Sequence, residues 1–470
     1  MTTEEMRALG YQVIDYLVDH HRQLEQERVG NVGSYEELDS LVDKDIPKYG
    51  QEPSKVFEEL NKLVGDNILH LDHPRFFSFI PSPSSYISVL ADALATGYNV
   101  FAGHWLGGSI AGMIESRTIE WLCQLMKYPN GSGGLFLSGG SMANLTALVA
   151  ARHHILGEDF RKGRVYYSEQ THSSLSKALR IIGFPKASMR PIPTNDNFQI
   201  DLQALRKTID ADREKGFTPC CIVGNAGTTN TGAVDDLDAL ADIAEGCGAW
   251  LHIDAAYGGA AIVAEPYNEP LKALARADSI TLDPHKWWFQ PYEIGCLLVR
   301  DQSKLKEAFS VEAEYLTDTL RGEKEVVYFN HGVQLSRSFR ALKLYAFFKC
   351  EGLAKVTEYV KRGIANAEYL QELFLQKPHW EILTEPSLGI IAFRAKVSVE
   401  EPANDKLNAA LSRSLFEDGL AMITTTRLKG HTALRMCPIH PETTLKHLED
   451  TVAWMDRFIE QQRATYRRQP

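Results

Sequence analysis

Between residues 135 and 299 the chain repeats one alternation: a short apolar run, then a stretch of helical periodicity. The runs fall at 135–137, 165–167, 220–223, 250–253, 279–282 and 295–299, and helical patterns fill 142–156, 202–215 and 237–247. Strands separated by helices are joined by crossovers. Most of such a sheet is parallel, and helices cover both of its faces. The pattern predicts an α/β fold and also where a ligand sits, because in these sheets the binding crevice lies beyond the carboxyl ends of the strands.

Two of those ends carry chemistry. The run at 250–253 leads into Asp254-Ala255-Ala256-Tyr257, and the run at 279–282 into Asp283-Pro284-His285-Lys286-Trp287-Trp288. A lone lysine is ordinarily a solvated surface charge, but two indoles directly after it are poor company for a wet loop. An amine and a carboxylate at the ends of neighbouring buried strands suit pyridoxal 5'-phosphate (PLP). The lysine condenses with the cofactor's aldehyde, and the acid keeps the ring nitrogen protonated so that the ring accepts electrons. Both phrases resemble the group II PLP-dependent decarboxylases. With Ser138-Gly139-Gly140-Ser141-Met142-Ala143-Asn144 and Gln170-Thr171-His172-Ser173-Ser174, the chain is similar in particular to the bacterial aromatic-L-amino-acid decarboxylases of tryptophan type.

The resemblance covers nearly the whole chain and implies PLP fold type I, the aspartate aminotransferase-like arrangement. It divides the chain into an N-terminal helical dimerisation segment (1–85), a large PLP-binding α/β domain (86–345) and a small C-terminal α+β domain (346–470). The residues agree. Met6, Leu9, Val13, Tyr16 and Leu17 make one face of an amphipathic helix over 1–28. After 345, helical patterns at 353–375 and 404–417 flank short runs at 390–393 and 433–436, and a last helix follows.

The same resemblance implies a set of site residues. Lys286 carries the cofactor and Asp254 pairs with its ring nitrogen, with small Ala256 flat against the ring. Gly140 and Ser141, just before a helix, offer unpaired N–H groups to the phosphate. His285 is a further phosphate contact, Thr229 bonds near the cofactor, and His172 stacks on its ring. Asp283 would repel phosphate, so its side chain is expected to turn away. Tyr315, in the polar stretch 307–334, corresponds to the tyrosine that protonates the substrate Cα. Phe79, Ile80, Pro81 and Ser82 lie in a Pro- and Ser-rich loop that contacts the substrate side chain. Phe101 and Gly103 reach the partner subunit's site, where Gly103 leaves room for an indole, whereas a hydroxyl at Ser336 suits a phenol.

Composition excludes other classes. The net charge is −11 with no long basic block, which argues against nucleic acid, since phosphate contacts need clustered Lys and Arg. No apolar run approaches the ~18 residues of a membrane span, and the acidic start Met1-Thr2-Thr3-Glu4-Glu5 is no secretory signal. Seven scattered cysteines without a C-x-x-C pattern read as reduced thiols of a cytoplasmic protein, with no metal site. The expectation is a homodimeric lyase that converts tryptophan, phenylalanine, tyrosine or DOPA to the arylalkylamine and CO₂. An aromatic aldehyde synthase on the same scaffold is the alternative, and a non-catalytic PLP-binding protein a third reading.

Overall fold

The computed structural model describes residues 1–310 and 325–466. Seven strands form the central sheet: β1 (Gly133–Leu137), β2 (Gly163–Ser168), β3 (Met189–Ile192), β4 (Thr218–Asn225), β5 (Trp250–Asp254), β6 (Ser279–Leu282) and β7 (Gly295–Val299). Their order is β1-β7-β6-β5-β4-β2-β3. The pairs β6–β5, β5–β4, β4–β2 and β2–β3 are parallel, and β7 alone runs against the rest. The α/β expectation with a mainly parallel sheet is therefore borne out.

Side-chain alternation along the strands gives the sheet two apolar faces. Phe136, Tyr166, Ile222, Leu251, Ile253, Ile280 and Leu298 point to one side, into the largest core, with residues of helices Trp105–Leu125 and Leu237–Cys247. Leu135, Leu137, Val165, Cys221 and Val223 point to the other, where helix Gly140–Leu156 lies across the sheet and contributes Ala143, Ala147, Leu148 and Ala151. A sheet covered on both faces needs apolar residues at both parities, which is why its strands read as continuous runs.

The second sheet is antiparallel: β8 (Trp380–Ser387), β9 (Ile390–Ala395), β10 (Thr424–Leu428) and β11 (His431–Met436), in the order β10-β11-β9-β8. Helices Glu401–Asp418 and Leu445–Tyr466 and the end of helix Ala341–Leu375 pack with it around Phe374, Phe393, Leu411 and Met455. The boundary expected at residue 345 falls inside Ala341–Leu375, whose backbone breaks at Gly352 (φ 72°).

Helix Thr3–Gln23 starts with a capping box: the Thr2 hydroxyl accepts from the Glu5 N–H and the Glu5 carboxylate from the Thr2 N–H. It touches helix Pro53–Asp66 through Gln12 and Ser54, yet none of its residues is buried. Met6, Tyr11, Leu17, Phe57, Leu60, Leu90 and Leu94 of the N-terminal helices are all exposed. Among the described residues no helix is long and apolar enough to cross a membrane.

Candidate active site

Six strands run one way and end on one side of the sheet, and the segments that follow five of them enclose a cavity of about 360 Å³. Ser138–Asn144 follows β1, His172 and Ser174 follow β2, Gly227–Thr229 follows β4, Ala256 and Tyr257 follow β5, and Asp283–Lys286 follows β6. The volume is in the range of small-molecule sites. Every cofactor residue expected from sequence lines it: Gly140, Ser141, His172, Thr229, Asp254, Ala256, His285 and Lys286.

The Ser138-Gly139-Gly140 turn is held by close packing. A Cβ on Gly295, at the start of β7, would sit 2.4 Å from the Gly139 backbone, and one on Gly140 would sit 2.7 Å from Asp283 Oδ2. Larger residues would push the turn out of the crevice. The turn ends at the amino end of helix Gly140–Leu156, where unpaired N–H groups and the helix dipole favour an anion.

Asp254 lies at the carboxyl end of β5 and is buried. Its Oδ2 accepts from Asn144 Nδ2 (3.0 Å) and its Oδ1 from the Ala256 N–H (3.1 Å). His172 caps helix Ser173–Ile181, its Nδ1 facing the Ser174 hydroxyl (2.9 Å) and N–H (3.3 Å). Its Nε2 is therefore the nitrogen that carries the proton.

Lys286 Nζ lies 2.9 Å from Asp283 Oδ2. Asp283 does not turn away as expected. It is buried, lines the cavity and takes the lysine ammonium as its partner. The repulsion reasoned from sequence considered only the anion and left out the cation three residues on, on the same turn. Burial pushes the ammonium pKa down, but Asp283 and then Asp254 more than offset it and the net direction is up. His285 donates from Nδ1 to the Ile294 carbonyl (2.7 Å), and burial lowers its pKa. Trp287 and Trp288 are buried, and Trp287 stands 6.0 Å from the Tyr257 ring. These indoles anchor the turn that presents Lys286, each contributing on the order of 2–3 kcal/mol of apolar burial.

A pH dependence follows. Only a neutral amine attacks an aldehyde, so cofactor uptake by the apoenzyme should speed up as pH rises toward the raised lysine pKa. Asp283→Asn removes the counter-charge and lowers that pKa, so the rise should move to lower pH. Stopped-flow absorbance of cofactor uptake against pH checks this; superimposable profiles would discount the ion pair.

The expected substrate residues fall elsewhere, and none lines the cavity. The Ser82 hydroxyl donates to the His285 carbonyl, which ties the 79–82 loop to the back of the lysine turn. Ile80 and Pro81 are buried, whereas Phe79 is 53% exposed with φ 51°. Phe101 and Gly103 lie beside 335–337: the Ala102 N–H donates to the Arg337 carbonyl and Arg337 Nη1 to the Ala102 carbonyl, both 2.9 Å. Gly103 leaves no opening within the chain. A Cβ there would meet the Phe101 ring at 2.5 Å and the Leu335 carbonyl at 2.7 Å. Ser336 is exposed, and Tyr315 lies outside the described residues. Sequence reasoning passed over Asn144, Ser174 and Tyr257 and set Asp283 aside, and all four line the cavity. Asn144 is three residues after Ser141, one helical turn on, which puts it on the same face.

A lysine, a buried acid and a helix amino terminus converging at the carboxyl edge of a mainly parallel sheet define a pyridoxal-phosphate enzyme of the aspartate aminotransferase-like fold. The chain belongs to the pyridoxal-dependent decarboxylases: the family's conserved domain matches residues 36–396. It is 40% identical to an aromatic-L-amino-acid decarboxylase of Bacillus atrophaeus over 95% of this chain and 94% of that one. A phenylacetaldehyde synthase of Petunia hybrida is 30% identical over 96% and 93% of the two chains. The crystal structure of the Oryza sativa TDC with PLP and tryptamine superposes with a TM-score of 0.93 at 27% identity, over 98% of this chain and 99% of that one. The cofactor is pyridoxal phosphate, and the residues present fit it: an amine for the aldehyde, a buried carboxylate for the ring nitrogen, and backbone N–H groups for the phosphate.

Proposed function

We propose that this protein decarboxylates aromatic L-amino acids, releasing CO₂ and the arylalkylamine, and that it works as a cytoplasmic homodimer. The observation that carries the substrate class is the 40% identity to an aromatic-L-amino-acid decarboxylase over 95% of the chain, with the cofactor residues gathered in one cavity. The exposed apolar side chains of the N-terminal helices support a dimer, since no surface among the described residues covers them. The unpaired state of all seven cysteines suits a reducing compartment.

When bound, pyridoxal phosphate supplies a sink for the electron pair left at Cα as CO₂ departs. The protein's residues do the rest. Lys286 would hold the cofactor, its amine being the group in the cavity that can condense with an aldehyde. Asp254 keeps a negative charge facing the ring nitrogen, which favours the protonated ring. His172 would lie against the ring, leaving its Nε2–H to meet a substrate carboxylate. Gly140 and Ser141 would bind the phosphate, with His285 beside it and Thr229 and Ala256 completing the seat. Tyr315 returns a proton to Cα. Phe79, Ile80, Pro81 and Ser82, with Ser336 and with Phe101 and Gly103 of the other subunit, would shape the pocket for the aromatic side chain.

Measuring kcat/KM for tryptophan, tyrosine, phenylalanine and DOPA, with glutamate as control, tests the proposal. All four are expected to exceed glutamate by at least ~10²-fold, because an acidic side chain would have to bury its charge among aromatic residues. A preference for glutamate would overturn it. The likeness to a phenylacetaldehyde synthase supports a second outcome, in which amine, O₂ and water give aldehyde, ammonia and hydrogen peroxide. Keeping both Tyr315 and His172 favours the simple amine. Tyr315→Phe should therefore cut amine formation and raise peroxide and aldehyde together, read by a coupled peroxidase assay. An unchanged product ratio would remove Tyr315 from its role.

A further inference from the structure

Behind Asp254 a line of buried polar groups runs between the sheet and helix Gly140–Leu156. Trp250 Nε1 lies 2.8 Å from Ser279 Oγ, which lies 2.8 Å from His252 Nδ1; His252 Nε2 lies 3.0 Å from Asn144 Oδ1; Asn144 Nδ2 lies 3.0 Å from Asp254 Oδ2. All five residues are buried. Thr281 adds its hydroxyl to Asn144 Oδ1 (2.7 Å), and Asn144 Nδ2 also reaches Ser174 Oγ (3.1 Å).

The direction of every bond is fixed from both ends. An indole only donates, and a carboxylate only accepts. Asn144 Nδ2 donates to Asp254, so Asn144 Oδ1 accepts from His252 Nε2–H, and the neutral ring's Nδ1 accepts from the Ser279 hydroxyl, which itself accepts from Trp250. The Asn144 amide is then locked with its NH₂ toward Asp254 and Ser174. Turning it over would set its oxygen against the carboxylate and its NH₂ against two donors. Burial, which lowers the His252 pKa to about 4, keeps that ring neutral as the relay requires. Both Asp254 oxygens accept from groups that cannot accept in return, so a proton on either oxygen would break a hydrogen bond. Ser174, having accepted from Asn144, donates to His172 Nδ1.

We infer that Asn144, backed by His252 and Ser279, is the positioning residue of the site: one carboxamide holds Asp254 as an oriented anion and, through Ser174, fixes the tautomer of His172. The inference rests on the proposed pairing of Asp254 with the cofactor ring nitrogen, and Asp254→Asn separates a failure of that pairing from a failure of the relay.

The test uses the holoenzyme loaded with cofactor labelled with ¹⁵N at the ring nitrogen. Asn144→Leu should lower kcat by roughly 10–100-fold, the usual range for a group that orients a primary contact, with a smaller change in KM. It should also move the ring ¹⁵N signal toward the unprotonated value. Asn144→Asp, which keeps the shape should Asn144→Leu fail to fold, sets two carboxylates together. One of them then takes a proton, so a new inflection should enter the pH–rate profile. Ser279→Ala, remote from the cavity, should shift the signal the same way by less. The inference is overturned if these variants lower the melting temperature while kcat, the ¹⁵N signal and the pH profile stay as in the parent, with Asp254→Asn still shifting the signal. Should Asp254→Asn leave the signal unmoved, the ring-nitrogen pairing itself is wrong.

Discussion

Lys286→Ala is expected to reduce amine formation by ~10³-fold or more, the scale on which loss of a covalent nucleophile is felt. Lys286 is the one cavity-lining amine among the described residues, at the end of β6 and held by Asp283 at 2.9 Å. Its removal takes away the tether and the group that hands the cofactor to the substrate. The helix amino terminus and Asp254 remain, so the variant should still bind cofactor, but more weakly and without a covalent bond. Borohydride reduction followed by peptide mass mapping reads this directly: an adduct at residue 286 in the parent and none in the variant. Activity within tenfold of the parent, or an adduct at another lysine, would defeat the assignment. A protein that merely stores the vitamer would lose the adduct but would have no amine production to lose.

How much of this site could be read in the chain depended on what each residue touches. Lys286, Asp254, Gly140 and His172 follow apolar runs, and any chain that makes those runs parallel strands carries the residues to one edge. Asn144 and His252 were equally placed by periodicity. His252 shares a strand face with Asp254, two residues on, but nothing in a one-dimensional pattern says that a helix residue 108 positions upstream will meet it. Asp283 was misjudged because its nearest charge is set by the fold of a tight turn. Gly103 shows what a pattern leaves open: an absent side chain can mean open space or a tight contact, and within the chain the neighbouring Phe101 ring makes it a tight one.

The secondary structure that escaped is also physical. β3 carries Pro191 at the edge of the sheet, where a missing N–H is tolerated but a strand pattern is weakened. Helix Trp105–Leu125 has Gly107, Gly108 and Gly112 in its first turns, with Gly108 off helical geometry (φ −167°), which lowers its intrinsic propensity. Its place is fixed from outside, by the buried pair of Glu115 with Arg337. The residues flanking that arginine meet the 101–103 segment, so both halves of the proposed partner-facing surface hang on one buried ion pair. Removing either member would leave a buried charge alone.

Asp254→Ala should lower kcat by ~10²–10³-fold, as for removal of a preorganised charge at the reacting centre, about 3–4 kcal/mol of barrier. Two effects add. The ring nitrogen loses the anion that favours its protonated form, so the electron pair at Cα has a poorer sink. Asn144 loses the acceptor for one of its N–H bonds in a buried setting, which costs on the order of 1–3 kcal/mol of stability. Asp254→Asn tests whether charge or shape matters. Its carboxamide fills the same space, but one end must present NH₂ either to Asn144 Nδ2 or to the Ala256 N–H, donor against donor. It should therefore be no more active than Asp254→Ala and less stable than the parent. Asp254→Glu keeps the charge on a longer arm and should recover part of kcat. Single-turnover rates with melting temperatures separate the two contributions. If Asp254→Asn kept near-parent kcat, the negative charge would be irrelevant to the reaction, and the ring nitrogen would have to be served by another group.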